Sequence, residues 1–178
     1  MTQDQPWTWR GYDAATPPEA FGPLAGVARM WRDRWPDAST FPRWSDFDLM
    51  DFKGWWGQVS LAEVEDPFDI LFTLWGTRLT DWWELDYTRK RMSEIDKFTG
   101  IWESHERGYF RAMVGRPFIG FVTGSLAVYD RSFMYVRGID LPLCKDGKVG
   151  QVMTVFQTYA ADDVFVPDAP AIYSDSSG

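Results

Sequence analysis

The alternation of apolar and polar positions divides the chain into a helical beginning, a mixed middle and a strand-rich final third. In "PLAGVARMWRDRW" apolar side chains recur at helical spacing, with charged residues mostly on the other side: Leu24, Val27, Trp31 and Trp35. Pro36 is expected to end this amphipathic helix, because proline has no N–H for a helical hydrogen bond. The apolar stripe can cover the domain's own core or offer part of itself to a second subunit, and both interpretations remain open.

The middle of the chain combines a predicted hairpin with several helical stretches. Two apolar runs, "VSLAEVE" and "DILFTLWGT", flank the turn-prone "DPFD" and predict two antiparallel strands. Short helical turns are expected around Asp48–Trp55, in "RLTDWWEL" and in "KRMSEI". A longer helix is predicted over Thr99–Val114, where His105, Tyr109 and Met113 fall close to one face.

The last third reads as a meander of three strands. The runs "PFIGFVTGSLAVYD", "SFMYVRGIDLPLC" and "VGQVMTVFQTYA" are joined by "DR" and by "KDGK", a tight-turn signal. The whole order predicts an α+β fold with a five-stranded antiparallel sheet, an N-terminal helix, and helices inserted between strands 2 and 3. The space between the sheet and these inserted helices is the natural place for a small ligand.

The chain of 178 residues is predicted to hold one domain with two appendages. Residues 1–23 are proline-rich and are expected to form an N-terminal arm, and residues 24–161 form the body. Residues 162–178 lose periodicity and are expected to be a flexible C-terminal tail.

Composition and charge narrow the classes of function. The chain is 45% hydrophobic and 17% aromatic with 11 Trp, which predicts a core of large side chains or an apolar cavity. A net charge of -8 disfavours nucleic acid and membrane surfaces as partners. The chain shows neither a signal peptide nor an apolar stretch long enough to cross a bilayer, so the cytoplasm is expected. Cys144 is the single cysteine, so neither an intrachain disulfide nor a cysteine-based metal site is expected.

Several stretches together resemble PAS (Per-ARNT-Sim) sensory domains, and more narrowly the single-domain alphaproteobacterial PAS family formerly labelled as having unknown function. They are "FPRWSDFDL", "VSLAEVEDPFDILFTLWGTRLTDWWELDYTRKRMSEI", "GRPF" and "LPLCKDGKVGQVMTVFQTY", spread over residues 24–160. Leu85 and Arg89 depart from the family pattern, which has glycines in that turn. The resemblance implies a sensory or interaction module without fixed catalytic residues, acting as a homodimer with a signalling partner.

The resemblance also bears on cofactors. PAS domains that bind haem carry the iron-ligating histidine on the long helix, where this chain has His105. His105 lies between Glu103 and Glu106, and no further haem motif is evident, so haem is not expected. Flavin photochemistry would need a cysteine in the inserted helices, within a motif resembling "NCRFLQ", and that stretch has none. The cofactor is therefore unknown.

Candidate ligand contacts follow from the predicted cavity. Adjacent residues on a helix point about 100° apart, so of Trp82 and Trp83 one should face the core or cavity and the other the outside. The proposed cavity residues are Trp75, Trp82, His105, Tyr109, Met113 and Phe121. The proposed interaction helix uses the apolar stripe defined above.

Two functions compete on this evidence. The first is a stand-alone regulatory domain that acts through protein–protein contacts and is gated by a small apolar ligand, rather than an enzyme. The alternative is a small enzyme or ligand carrier on a cone-shaped fold like that of nuclear transport factors. Such folds place a His/Asp pair in the cavity, so this chain would use His105 with Asp130 or Asp140.

Overall fold

A seven-stranded antiparallel sheet forms the centre of the protein. The computed structural model describes residues 5–35, 40–95 and 100–178, with Ser132 described without its side chain. In sheet order the strands are β3-β2-β6-β5-β4-β1-β7. Their bounds are β1 Thr8–Asp13, β2 Val59–Glu65, β3 Asp69–Trp75, β4 Phe118–Leu126, β5 Arg131–Lys145, β6 Lys148–Tyr159 and β7 Ala171–Ser176. The predicted α+β class is confirmed, but the sheet has seven strands where five were expected.

Four α-helices and several tighter turns complete the described structure. The helices are α1 Ala25–Asp33, α2 Thr77–Trp83, α3 Met92–Ile95 and α4 Arg107–Gly115. A π-helical turn, Trp102–Glu106, leads directly into α4, and 3-10 turns occupy Pro18–Leu24, Trp44–Asp46, Leu49–Phe52 and Ala127–Tyr129. The start of the long helix predicted from Thr99 lies outside the described residues. Across the three described ranges, no helix combines the length and apolarity needed to cross a membrane.

The two additional strands come from segments that were predicted to be an arm and a tail. In β1 the side chains alternate between faces and the flanking prolines lie outside the strand, so the run stays extended and pairs with β4. β7 pairs in turn with β1 and becomes an edge of the sheet. The expectation of an unpacked arm and a tail without structure is therefore corrected for these residues, since strand pairing satisfies their backbone groups.

The face of the sheet covered by α1, here called the α1 face, is an apolar core. Side chains of the helix and of the preceding 3-10 turn pack on alternate residues of the central strands, as in Phe121, Ile139 and Met153. The helical spacing predicted for the stripe is confirmed, because Leu24, Val27, Ala28 and Trp31 are all buried there.

The opposite face, here called the insert face, is covered by the segment between β3 and β4. Leu79 and Trp83 of α2 and Tyr109 and Met113 of α4 pack against it. Both faces of the sheet are therefore buried, and among the described residues the α-helices that cover the insert face lie between β3 and β4.

Candidate ligand-binding cavity

A cavity of about 70 Å³ lies between the insert face and its covering helices. That is several times the roughly 10–15 Å³ that one water needs, and well below the roughly 300–1,000 Å³ of sites for drug-sized ligands. It therefore fits a molecule of a few heavy atoms. Its walls are largely aromatic and include Trp9, Phe72, Trp75, Trp83, Tyr87 and Phe156.

Aromatic rings in the wall support one another. The rings of Trp75 and Tyr87 stack with centroids 4.5 Å apart, and Trp83 meets Trp75 edge-on at 5.4 Å. Phe156 packs edge-on against Trp83 at 5.0 Å. Ring pairs at such distances are mutually stabilising, so this wall holds its shape beside an open space.

The floor of the cavity comes from one row of residues that runs across the strands. Strand register places Asp140 of β5 opposite Thr154 of β6 and Gly120 of β4, and Thr154 opposite Ser60 of β2. Because side chains alternate along a strand, the members of this row share the insert face. Asp140, Thr154 and Ser60 all line the cavity.

Asp140 is a buried carboxyl group with two hydroxyl donors. Its side chain accepts a hydrogen bond from Tyr109 Oη at 2.7 Å and a second from Thr154 Oγ1, and the residue is 3% exposed. Burial raises the pKa of the Asp140 carboxyl above its ordinary value, while the hydrogen bonds from Thr154 and Tyr109 oppose that rise. Burial and the neighbouring Asp140 charge raise the pKa of Tyr109 well above its ordinary value, so Tyr109 remains a donor.

Gly120 makes room for the contact between Tyr109 and Asp140. A Cβ atom at Gly120 would overlap the Tyr109 hydroxyl and also lie 3.0 Å from the Asp140 side chain. The tyrosine therefore reaches the carboxyl by passing over a strand position that has no side chain.

Four of the six predicted cavity residues belong to the apolar cluster of the insert face. Trp75 lines the cavity, and Tyr109 holds its floor through Asp140. Trp82 is half-buried and lies outside the lining, whereas its neighbour Trp83 lines the cavity. The predicted division between the two tryptophans is therefore found, but Trp83 takes the cavity position that was expected for Trp82. Met113 is fully buried in the core beside the cavity.

The prediction that Phe121 faces the cavity is wrong, because this residue lies on the other face of the sheet. It packs on the α1 face, with its ring centroid 5.9 Å from that of Phe165, whereas its neighbour Val122 lines the cavity. Side chains alternate between the two faces along a strand. The prediction therefore placed the right strand, β4, beside the cavity but chose a residue on its opposite face.

His105 lies beside the cavity wall instead of facing the cavity. Its ring stacks on Trp9 at 5.2 Å, and its Nδ1 is 2.9 Å from Asp175 Oδ2 on β7. The predicted common face with Tyr109 and Met113 fails because His105 belongs to the π-helical turn, whose i→i+5 spacing rotates it relative to α4. The pairing with Asp130 or Asp140 is therefore corrected to a pairing with Asp175.

The stripe proposed as an interaction surface is used inside the protein. Leu24, Val27 and Trp31 are each 0% exposed, and the Trp31 indole N–H donates to the Pro142 carbonyl oxygen at 3.0 Å. Trp35 is partly buried against the same core. In this fold these four side chains therefore cover the chain's own sheet, which is the first of the two interpretations offered by the sequence.

The floor residues carry only a weak signal in the sequence. Asp140 stands inside the apolar run "VRGIDLPL", and a carboxyl in such a central strand is a sign of a buried polar contact. Thr154 and Ser60 gave no comparable sign, because both residue types are common in strands. No group of three or more His, Cys, Asp or Glu side chains suited to a metal occurs in the described ranges.

Comparisons with protein-family models, with curated proteins and with solved structures found no significant match. The function of the chain is therefore argued from its own geometry.

Proposed function

We propose that the protein is a PAS-type sensory or regulatory domain that is gated by a small ligand and acts through contact with other proteins. The observation that carries the proposal is the cavity on the insert face, which combines aromatic walls with a buried carboxyl on its floor. Tyr109 and Thr154 hydrogen-bond the Asp140 carboxyl, but none of the described lining residues gives it a cationic partner. Burying a carboxyl group without such a partner costs stability, so a binding role explains its retention.

The arrangement of the central strands supports the PAS assignment. Strands β2 to β6 are consecutive in sequence and adjacent in the sheet, and the inserted helices lie between β3 and β4, the second and third of these five. This is the plan that the resemblance implies. β1 and β7 add to one edge of this unit without interrupting it.

The proposed mechanism is a shift between two packings of the inserted helices on the sheet. A ligand shifts such an equilibrium by its difference in affinity for the two states. Trp7 and Trp9 flank the start of β1 and line the cavity, and Trp7 N donates to Ser177 Oγ beyond β7. We therefore propose that the edge formed by β1 and β7, instead of the N-terminal helix, passes the ligand-dependent change to partner proteins.

The proposed partners are a second copy of the chain and a signalling protein in the cytoplasm. Exposed apolar side chains that share a groove beside the edge strand β3 suit such a contact: Leu49, Trp56 and Leu74. We expect light scattering after size exclusion to report a dimer for the wild type and a monomer for Trp56→Ser. A wild-type monomer at all concentrations would overturn the homodimer.

Native mass spectrometry and an absorption spectrum of the purified chain test the ligand. Ala62 lines the cavity, so Ala62→Leu should reduce any co-purified mass, whereas the same change at the exposed Ala161 should not. A bound small molecule lost only in Ala62→Leu supports the proposal. No bound mass in any variant would remove the ligand-gated half, and a Soret band would identify haem instead.

The catalytic half of the alternative function has lost its geometric basis, because His105 pairs with Asp175 outside the cavity lining. An enzymatic activity that disappears in His105→Ala, with folding unchanged, would restore it.

A further inference from the structure

Among the described residues, the charged groups that line the cavity have one sign. Asp140 lies on its floor and Glu106 at its helical side, and none of the described lining residues is Lys, Arg or His. The buried carboxyl group of Asp140 has hydroxyl donors only, so it gains strongly from a positive ligand, because attraction is strong where water is excluded. The net charge of -8 also favours the approach of cations.

The walls present the surfaces that attract organic cations. Trp75, Trp83 and Tyr87 bring their rings to the cavity, with Phe72 and Phe156 beside them. The face of an aromatic ring carries partial negative charge, and tryptophan attracts ammonium groups most strongly. Several such rings around a small space with a carboxyl on its floor form a site suited to an alkylated ammonium group.

Two lining residues also carry unsatisfied donors. The indole Nε1 atoms of Trp7 and Trp75 are buried, and neither has an acceptor among the described residues. Both residues are more than nine-tenths buried, at 8% and 7% exposure. Buried donors are normally paired. Neither Nε1 atom opens onto the cavity in this structure, so a ligand oxygen becomes their acceptor when the indole rings shift on binding.

We infer that the cavity on the insert face binds a small aliphatic ammonium compound with an oxygen acceptor, that is, an amino alcohol. The inference rests on the proposed ligand-gated function and names the ligand class of that same site. The ammonium group lies between the rings and Asp140, and the oxygen accepts from a tryptophan N–H. The volume of about 70 Å³ suits a molecule of this size.

Asp140 responds to such a ligand by its protonation state. Burial raises the pKa of its carboxyl in the free protein, and a cation beside it lowers that pKa again. Tyr109 and Thr154 donate to its two oxygens and hold the carboxyl in place. Binding of the cation is therefore expected to release a proton from Asp140 at pH values around the pKa of this carboxyl in the free protein.

Calorimetric titration of the full chain with two matched probes tests the inference. Choline carries the charge and the hydroxyl group, and 3,3-dimethylbutan-1-ol has the same shape without the charge. At constant ionic strength we expect choline to bind at least about tenfold more tightly than the neutral alcohol. Ethanolamine, a primary ammonium, is expected to bind as well. Comparing its affinity with that of choline distinguishes hydrogen bonding to Asp140 from attraction by the rings alone.

Substitutions test which residues produce the preference for choline over the neutral alcohol. Asp140→Asn should remove most of the preference for choline over the alcohol, and Trp75→Leu should weaken both the preference and the binding. Ala161→Leu, at an exposed residue outside the lining, should leave both unchanged. If Asp140→Asn does not fold, Glu106→Gln provides the second carboxyl variant, and it should reduce the preference more weakly.

The outcomes separate this inference from the proposed function. Equal binding of choline and the alcohol, or a preference that survives in Asp140→Asn, overturns the ammonium ligand while leaving a ligand-gated domain intact. Failure of all ammonium probes alongside a neutral co-purified molecule has the same meaning. Failure of every probe with no co-purified molecule overturns both.

Discussion

The same central strands present very different side chains to the two faces of the sheet. On the α1 face, β4, β5 and β6 contribute Phe121, Ile139 and Met153 to an apolar core. On the insert face, residues one step along those strands are Gly120, Asp140 and Thr154. The α1 face receives apolar side chains from these strand positions, whereas the insert face keeps a polar row and a cavity within an apolar cluster of its own, at an energetic cost. The contrast teaches that both faces contribute to stability, while the face with the polar row is the place to look for binding.

Trp31→Ala should have the largest effect on stability, because it removes a large side chain from the core of the α1 face. The loss of a fully buried indole and of its hydrogen bond to Pro142 O should lower the free energy of unfolding by about 3–5 kcal/mol. Urea denaturation measures this. Arg29→Ala on the exposed side of the same helix should cost little, since its ion pair with Glu19 is exposed to solvent. Equal effects of the two changes would refute the division of α1 into two sides.

Tyr109→Phe tests the polar row of the insert face with a change of one oxygen atom. It leaves an Asp140 oxygen without its tyrosine donor, so the free energy of unfolding should fall by about 1–3 kcal/mol. Tyr159→Phe is the matched control, because its hydroxyl donates to Gln5 Oε1 at a half-buried site and should cost less. A Tyr109→Phe protein as stable as the wild type would show that the row is not held by this bond.

Asp140→Asn should change how stability depends on pH. Since burial raises the pKa of the Asp140 carboxyl, its contribution is present below the unfolded pKa of about 3.9 and is lost as pH rises through the folded pKa. The variant should therefore gain stability relative to the wild type as pH rises above about 4 and through the folded pKa. Urea titrations at several pH values measure the difference, and parallel pH profiles would contradict the prediction.

Asp46→Asn provides a control of opposite sign for that experiment. The backbone N–H of Arg43 donates to Asp46 and lowers the pKa of its carboxyl. Its stabilising contribution is present above the unfolded pKa and is lost as pH falls through the folded pKa, below about pH 4. The variant should lose stability relative to the wild type as pH rises through that lower interval.

His105→Ala should have the smallest effect and a local one. It removes the stack on Trp9 and the bond to Asp175, which together connect the π-helical turn to β1 and β7. A loss of about 1 kcal/mol is expected, with faster hydrogen exchange confined mainly to the β7 amides. Arg107→Ala, which breaks an exposed pair with Glu103, should leave β7 exchange unchanged. Uniformly faster exchange in all strands would refute a local role.

The sequence determined the local elements of this protein well. The apolar stripe of α1, the β2–β3 hairpin and the β4–β5–β6 meander all follow from periodicity and turn residues, which act within a few neighbouring positions. The α+β class and the position of the inserted helices followed from their order. The missed strands β1 and β7 are short, and both depend on pairing with distant segments rather than on their own pattern.

The tertiary structure alone decided what the cavity contains. A row such as Gly120, Asp140, Thr154 and Ser60 exists only once the register of four strands is set, and β2, which carries Ser60, is far in sequence from the other three. Likewise, the alternation of side chains along β4 placed Val122 in the cavity lining and Phe121 on the α1 face. One π-helical turn rotated His105 towards Asp175. Periodicity specifies which residues share a face of one element, whereas sheet register and helix rotation specify which faces meet. A binding site is built from the second kind of information.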